Sequence, residues 1–278
     1  MDSVLLWIVA FTTLGGVLGV MAAASLLLLS DGLRERVLPA LVSFAIGTLL
    51  GAAFLALLPH ALENKEVGVH GVALTVLVAL LSFFLLEKMV LWRHCHTYDC
   101  EVHGGAPGPG HVHVPGPNGG RYIDFERARV AATGRLILVG DGIHNLVDGI
   151  LIAAAFMTDV QLGIVTSVAV ITHEIPQELG DFSILLTSGF SRGRALFYNL
   201  LTGLTMVVGG VIAYFSLSFV QASVPYVLAV AAASFIYIAV ADLIPGLHRR
   251  PEPSATVQQL TLIGIGVVVI SIAEQVVH

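Results

Sequence analysis

Charge is what this chain has least of. Only 12% of its 278 residues are Asp, Glu, Lys or Arg, while 56% are hydrophobic, and the mean hydropathy is +0.89. Soluble domains carry roughly 25% charged residues, so a soluble globular class is excluded. Cysteine is nearly absent as well. Cys95 and Cys100 fall in one polar segment, which argues against a disulfide framework. The N-terminus, "MDSVLLWIVAFTTLGG", has no Lys or Arg ahead of its apolar run. A cleaved signal peptide wants a positive start, so the first helix is expected to stay. No basic patch of the kind that binds nucleic acid is present, and nucleic acid is not an expected partner.

What the chain does have is long apolar runs. Eight are long enough to cross about 30 Å of hydrocarbon, at roughly 4–29, 37–59, 70–92, 131–157, 162–188, 195–219, 224–246 and 257–277. The expectation is an all-α membrane protein with eight transmembrane helices in a single domain, 1–278, and the lipid bilayer as its surroundings. One connection is long: 93–130, rich in Gly, Pro and His ("HCHTYDCEVHGGAPGPGHVHVPGPNGG"). Its composition cannot bury a core and reads as a flexible loop. Its histidines and cysteines have no zinc-finger spacing.

Basic residues are confined to one side. Arg34, Arg36, Lys88, Arg93, Arg121, Arg127, Arg129, Arg135, Arg192, Arg194, Arg249 and Arg250 share a face, and only Lys65 opposes them. The positive-inside bias makes that face cytoplasmic, with both termini outside and the long loop inside. Gly15 and Gly19, and Gly47 and Gly51, match small-xxx-small spacing, although glycine is common in membrane helices and the pairs define no interface by themselves.

The acids inside the spans need an explanation. In the fourth span Asp141, His144, Asn145 and Asp148 occupy an arc of roughly 100° at about 100° per residue. In the fifth, "HEIPQELGD" puts His173, Glu174, Gln177, Glu178 and Asp181 within an arc of about 140°. The seventh adds Asp242 in "VADLIPGL". Each acid at a helix centre costs on the order of 2.5–3.5 kcal/mol, and no Lys or Arg lies among them. They must be protonated, hydrogen-bonded or neutralised by a cation from outside. Interleaved His, Asn and Gln favour the cation, because they add neutral ligands at contact spacing. His144 and Asp148, at i and i+4, are placed to grip one ion. A buried polar network holding helices together is the plainer alternative.

Pro176 should kink the fifth span, since its ring clashes with the Thr172 carbonyl and removes a ladder bond. Pro59 and Pro245, near the ends of the second and seventh spans, read as terminators. His60 in "LLPHAL" and His248 are candidate entrance and exit ligands, though lone histidines are more often interfacial.

"HNLVDG" and "HEIPQELGD" resemble the paired signatures of the Zrt/Irt-like (ZIP) metal transporters, nearest to the subfamily marked by HNFxDG and HExPHExGD. The resemblance spans essentially the whole chain. It implies a ZIP-like fold and a two-metal site between the fourth and fifth helices. His144, Asn145 and Asp148 match one set of ligand positions, His173, Glu174 and Gln177 the other, and Asp242 resembles the acid that completes the site. Glu178 is a further candidate, because Gln177 stands where the subfamily has His and other relatives Glu, and an amide is a weaker ligand than either. The resemblance also implies a bundle of helices 1, 4, 5 and 6 moving against a scaffold of 2, 3, 7 and 8, often within a homodimer.

Imidazole, carboxylate and amide without thiolate suit Zn²⁺, Mn²⁺, Fe²⁺, Co²⁺ or Cd²⁺ and disfavour Cu⁺. The expected function is inward transport of divalent metal ions, with Zn²⁺ as substrate and no organic cofactor. Two other classes stay open. One is an intramembrane zinc metalloprotease, since His173–Glu174 begins an HExxH pattern, although Gln177 holds the second His position. The other is a non-transporting metal-sensing membrane protein. A compact chain without a large ectodomain suggests a bacterial cytoplasmic membrane.

Overall fold

A computed structural model describes residues 3–63, 67–94, 121–248 and 252–275. Among them all regular structure is helical. The helices are α1 (Ser3–Leu26), α2 (Asp31–Gly51), α3 (Leu58–Glu63), α4 (Val69–His94), α5 (Arg121–Thr158), α6 (Val160–Thr187), α7 (Arg192–Phe219), α8 (Val224–Tyr237), α9 (Ile244–Leu247) and α10 (Pro253–Gln275). Wide π-helical turns, Ala52–Leu57 and Ile238–Leu243, join α2 to α3 and α8 to α9.

Among the described residues seven helical stretches are long and apolar enough to cross a bilayer. The eighth expected span, α6, has the length at 28 residues but is too polar to qualify on composition, because it carries "HEIPQELGD". Packing resolves the conflict. α6 lies against α1, α2, α5 and α7, so its ionisable groups meet protein rather than lipid.

Two expectations need correction. The flexible loop foreseen for 93–130 is too long at both ends: α4 runs to His94 and α5 starts at Arg121. Residues 95–120 lie outside the described residues. Pro59 and Pro245 do not terminate their helices either. The backbone continues past both into α3 and α9, and each proline is the second residue after a π turn. A proline at 59 can donate nothing to the Leu55 carbonyl, and its ring crowds that oxygen. The wider turn relieves this: Leu58 N–H bonds to Ala53 O, and Ile244 N–H to Ala239 O, each five residues back. α6 contains Pro176 and remains α-helical through it.

The helices fall into two packed groups. α1, α5, α6 and α7 lie on one another, while α2 pairs with α10 and α4 with α8. α6 touches both groups through α2 and the first π turn. Glycine permits the closest contacts. A Cβ on Gly203 in α7 would stand 2.7 Å from the Gly16 carbonyl of α1, and one on Gly266 in α10 would stand 2.9 Å from Gly47 Cα. Both glycine pairs noted in the sequence line such faces. Gly47 and Gly51 meet α10, whereas Gly15 faces Met206 and Gly19 faces Glu174.

Candidate metal centre

The centre begins with a tight turn. α5 ends at Thr158 and α6 starts at Val160, leaving Asp159 between them. Its carboxylate accepts the amides of Gln161 at 2.8 Å and Leu162 at 3.3 Å, an N-cap that satisfies the first orphan donors of α6. The two helices must then run antiparallel. His144 and His173 lie nearly equal numbers of residues before and after Asp159, about 21–23 Å along each helix at 1.5 Å per residue. A symmetric hairpin therefore brings the two motifs to one depth.

There four side chains converge: His144, Asp148, His173 and Glu174, with one ligand atom from each within 4.8 Å of the others. His173 Nε2 stands 3.2 Å from Asp148 Oδ2 and 3.6 Å from Glu174 Oε1. His144 Nε2 stands 3.7 Å from Asp148 Oδ2, 3.4 Å from Glu174 Oε1 and 3.3 Å from His173 Nε2. All four oxygens of the two carboxylates are buried without a hydrogen-bond partner. His173 Nδ1 lies 3.1 Å from the Ala169 carbonyl. That contact holds the proton on Nδ1 and leaves the Nε2 lone pair facing the cluster. Phe235 of α8 packs edge-on against the same ring at 6.2 Å. Asp148, His173 and Glu174 side chains are at most 1% exposed, His144 24%, so the cluster opens on the His144 side.

The remaining candidates lie around this group. Asn145 is fully buried and donates to Asp141 Oδ1 at 2.8 Å, which leaves its own Oδ1 and Asp141 Oδ2 without partners. Gln177 is half-buried. Glu178 is buried with both oxygens unpartnered. Asp242 is exposed and outside the four-residue cluster. It lies two α-helical turns beyond Phe235, so regular periodicity would aim it at His173. The π turn that contains it, Ile238–Leu243, breaks that regular period. Asn199 on α7 was not singled out from the sequence, yet it is fully buried with both amide atoms unpartnered. A lone amide in an apolar run was the only signal.

His60 and His248 are not near this cluster in any described contact. His60 Nδ1 meets the Ala56 carbonyl at 2.9 Å and lies 3.9 Å from Glu274 Oε1 on α10. His248 is exposed.

A helical bundle of membrane-spanning length, with carboxylates and imidazoles gathered in its interior, defines a multi-pass integral membrane protein with a candidate cation site. The ZIP zinc transporter family profile matches residues 3–121 and 119–274, and the chain belongs to that family. It is 34% identical to zinc transporter ZIP5 of Homo sapiens over 86% of this chain and 52% of that protein. It is 31% identical to ZIP13 of Gallus gallus over 84% and 73%, and 32% identical to ZIP4 of Mus musculus over 74% and 38%. The chain thus spans about half the length of ZIP5. These relatives are vertebrate proteins and give no support to the bacterial host expected from the sequence. The family consists of transporters rather than enzymes, which removes the protease reading.

Proposed function

We propose that this protein carries divalent transition-metal cations across the membrane, with zinc as the principal substrate, through the cluster between α5 and α6. The observation that carries this is the spacing of the four donor atoms. Zinc binds nitrogen and oxygen ligands at about 2.0–2.2 Å, so the edges of its tetrahedron measure about 3.3–3.6 Å. The five donor separations given above run from 3.2 to 3.7 Å. Two carboxylates with two neutral imidazoles also cancel a divalent charge, which makes the loaded site electrically neutral at membrane depth. Asn145, Gln177, Glu178 and Asp242 are the flanking ligands that receive or pass on the ion. Mixed nitrogen and oxygen donors, open at His144, hold an ion without the closed thiolate shell of a structural zinc site, and so permit release. Fe²⁺, Mn²⁺ and Cd²⁺ fit the same donor set as secondary substrates.

α6 completes an eight-helix membrane domain by position. The one-sided Lys and Arg distribution supports both termini outside, and the direction of transport in this reading is toward the cytoplasm. The experiment is uptake of radioactive zinc into proteoliposomes, comparing the wild-type chain with Asp148→Ala. Accumulation that the variant lacks is the expected result. Wild-type protein that binds zinc yet accumulates none identifies a sensor and overturns the proposal.

A further inference from the structure

α5 and α7 touch backbone to backbone at one level and part below it. A Cβ on Gly149 would stand 2.9 Å from Gly210 N, and one on Gly209 would stand 3.2 Å from Leu146 Cα. Toward their N-terminal ends Leu138 and Ile143 of α5 and Leu201 of α7 flank the space between the helices. A groove of about 600 Å³ opens between them, lined by Leu138, Ile143, Leu201 and Arg194 among others. This lies within the roughly 300–1,000 Å³ of ligand sites.

The turn from α6 to α7 closes the bottom. Gly189, at φ +86°, lets Phe190 N–H reach back to Leu185 O at 3.1 Å, a Schellman turn that needs a residue free to adopt positive φ. Phe190 is thereby set beneath the groove, where a Cβ on Gly134 would stand 3.0 Å from its ring.

The groove has apolar walls and one charged end. Ile143 and Leu201 are 59% and 50% exposed, so it faces outward on spanning segments, toward acyl chains. The hydroxyl of Thr205, in its wall, is already engaged by the Gly142 carbonyl at 2.7 Å. At the first turn of α7, Arg194 lies 5.8 Å from the Phe190 ring centroid, and among the described residues no carboxylate pairs with it. The adjoining N-cap, Ser191, makes no side-chain capping bond, so the amides of the first turn add to the positive end. An apolar channel open to the bilayer and ending in an uncompensated cation is complementary to an amphiphile with an anionic head.

We propose that this groove binds one anionic phospholipid, its phosphate at Arg194 and an acyl chain along Leu138, Ile143 and Leu201. The occupant would rest against the residue directly before His144. The lipid site goes beyond the transport reading and stands independently of it, because labelling requires no flux.

The full-length protein, in nanodiscs of phosphatidylcholine, is given a trace of photoactivatable phosphatidylglycerol or photoactivatable phosphatidylcholine, and the labelled residues are mapped by mass spectrometry. Phosphatidylglycerol should label the groove about fivefold more than phosphatidylcholine, the effect of one basic residue near a membrane surface. Arg194→Gln should abolish the preference. Leu201→Trp, filling the groove from its exposed wall, should abolish groove labelling by both lipids. Equal labelling by the two lipids, or a preference unchanged in Arg194→Gln, would show ordinary boundary lipid and overturn the proposal. A variant-free check is native mass spectrometry of the wild-type protein after detergent washing. One retained phosphatidylglycerol per chain supports the site, and complete loss contradicts it.

Discussion

Two tiers of buried polar residues lie one helical turn apart on α5 and α6, and they are built differently. The first joins His144 and Asp148 to His173 and Glu174 within one ligand shell. The second, nearer the α6–α7 turn, holds Asp141, Asn145, Gln177 and Glu178. Its carboxylates are just as enclosed, at 5% exposure for Asp141 and 1% for Glu178, but among the described residues no imidazole joins them in a shared ligand shell. Asn145 spends its amide on Asp141, and Glu178 has no partner at all. Burial of acids alone therefore does not make a closed site. Neutral rings interposed between Asp148 and Glu174 space two like charges and supply donors, whereas the second tier encloses carboxyl groups without an assembled shell.

The comparison breaks most sharply at the first tier. Asp148→Asn or Glu174→Gln removes one of two neutralising charges, and zinc uptake should fall by more than the 10–100-fold that outer-shell partners of a metal cost. Insertion should survive, because losing a buried charge lowers its cost. Uptake in proteoliposomes at matched protein content checks this, and wild-type rates in both variants would sink the metal-site reading.

A smaller effect should come from behind the tier. Gly19 of α1 lies where a Cβ would stand 3.2 Å from Glu174 Cβ. Gly19→Leu overpacks that contact, at a cost of about 1–3 kcal/mol, and should lower zinc uptake by roughly tenfold, with a weaker zinc-induced thermal shift; Gly19→Ala presses on the same Cβ more gently and should have a smaller effect in the same direction. Wild-type uptake in both variants would mean that α1 does not set the position of Glu174.

Glu178→Gln tests the second tier directly. Uptake should drop about two- to fivefold, less than one ligand's worth, and the zinc-induced thermal shift should be preserved. A loss as deep as that of Asp148→Asn would erase the distinction between the tiers.

The mildest change sharpens the boundary between them. Gln177 is one turn beyond His173, on the same face. Gln177→His should strengthen the zinc-induced thermal shift and slow the maximal rate, and Gln177→Glu should favour Mn²⁺ through its added charge. Unchanged affinity, rate and metal preference in both variants would place Gln177 outside the ion's path.

Much of the first tier was legible in the sequence because its geometry is local. His144 and Asp148 are separated by one α-helical turn, and a one-residue break at Asp159 folds α6 back so that the two motifs meet. What escaped was decided by helix irregularity or by isolation. Asp242 follows the α-helical period on paper, but it sits in a π turn and lies outside the four-residue cluster. The start of α5 was hidden because "RYIDFERARV" is polar, yet Glu, Arg and Ala are good helix formers. Asn199 carries no pattern of its own. The prolines misled in one direction only: Pro59 and Pro245 read as stops because the sequence does not announce that a widened turn can absorb them.

Those two widened turns behave like dislocations in a crystal. Each holds one surplus residue, and such a defect migrates along a helix by exchanging a single hydrogen bond at a time, with no backbone group left bare for long. Hydrocarbon penalises every other way of reshaping a spanning helix, because an unpaired amide there costs several kcal/mol. The surplus residue therefore resets the phase of the ends bearing His60 and His248 relative to the stretches before Ala52 and Ile238, with every backbone group still paired through the turn.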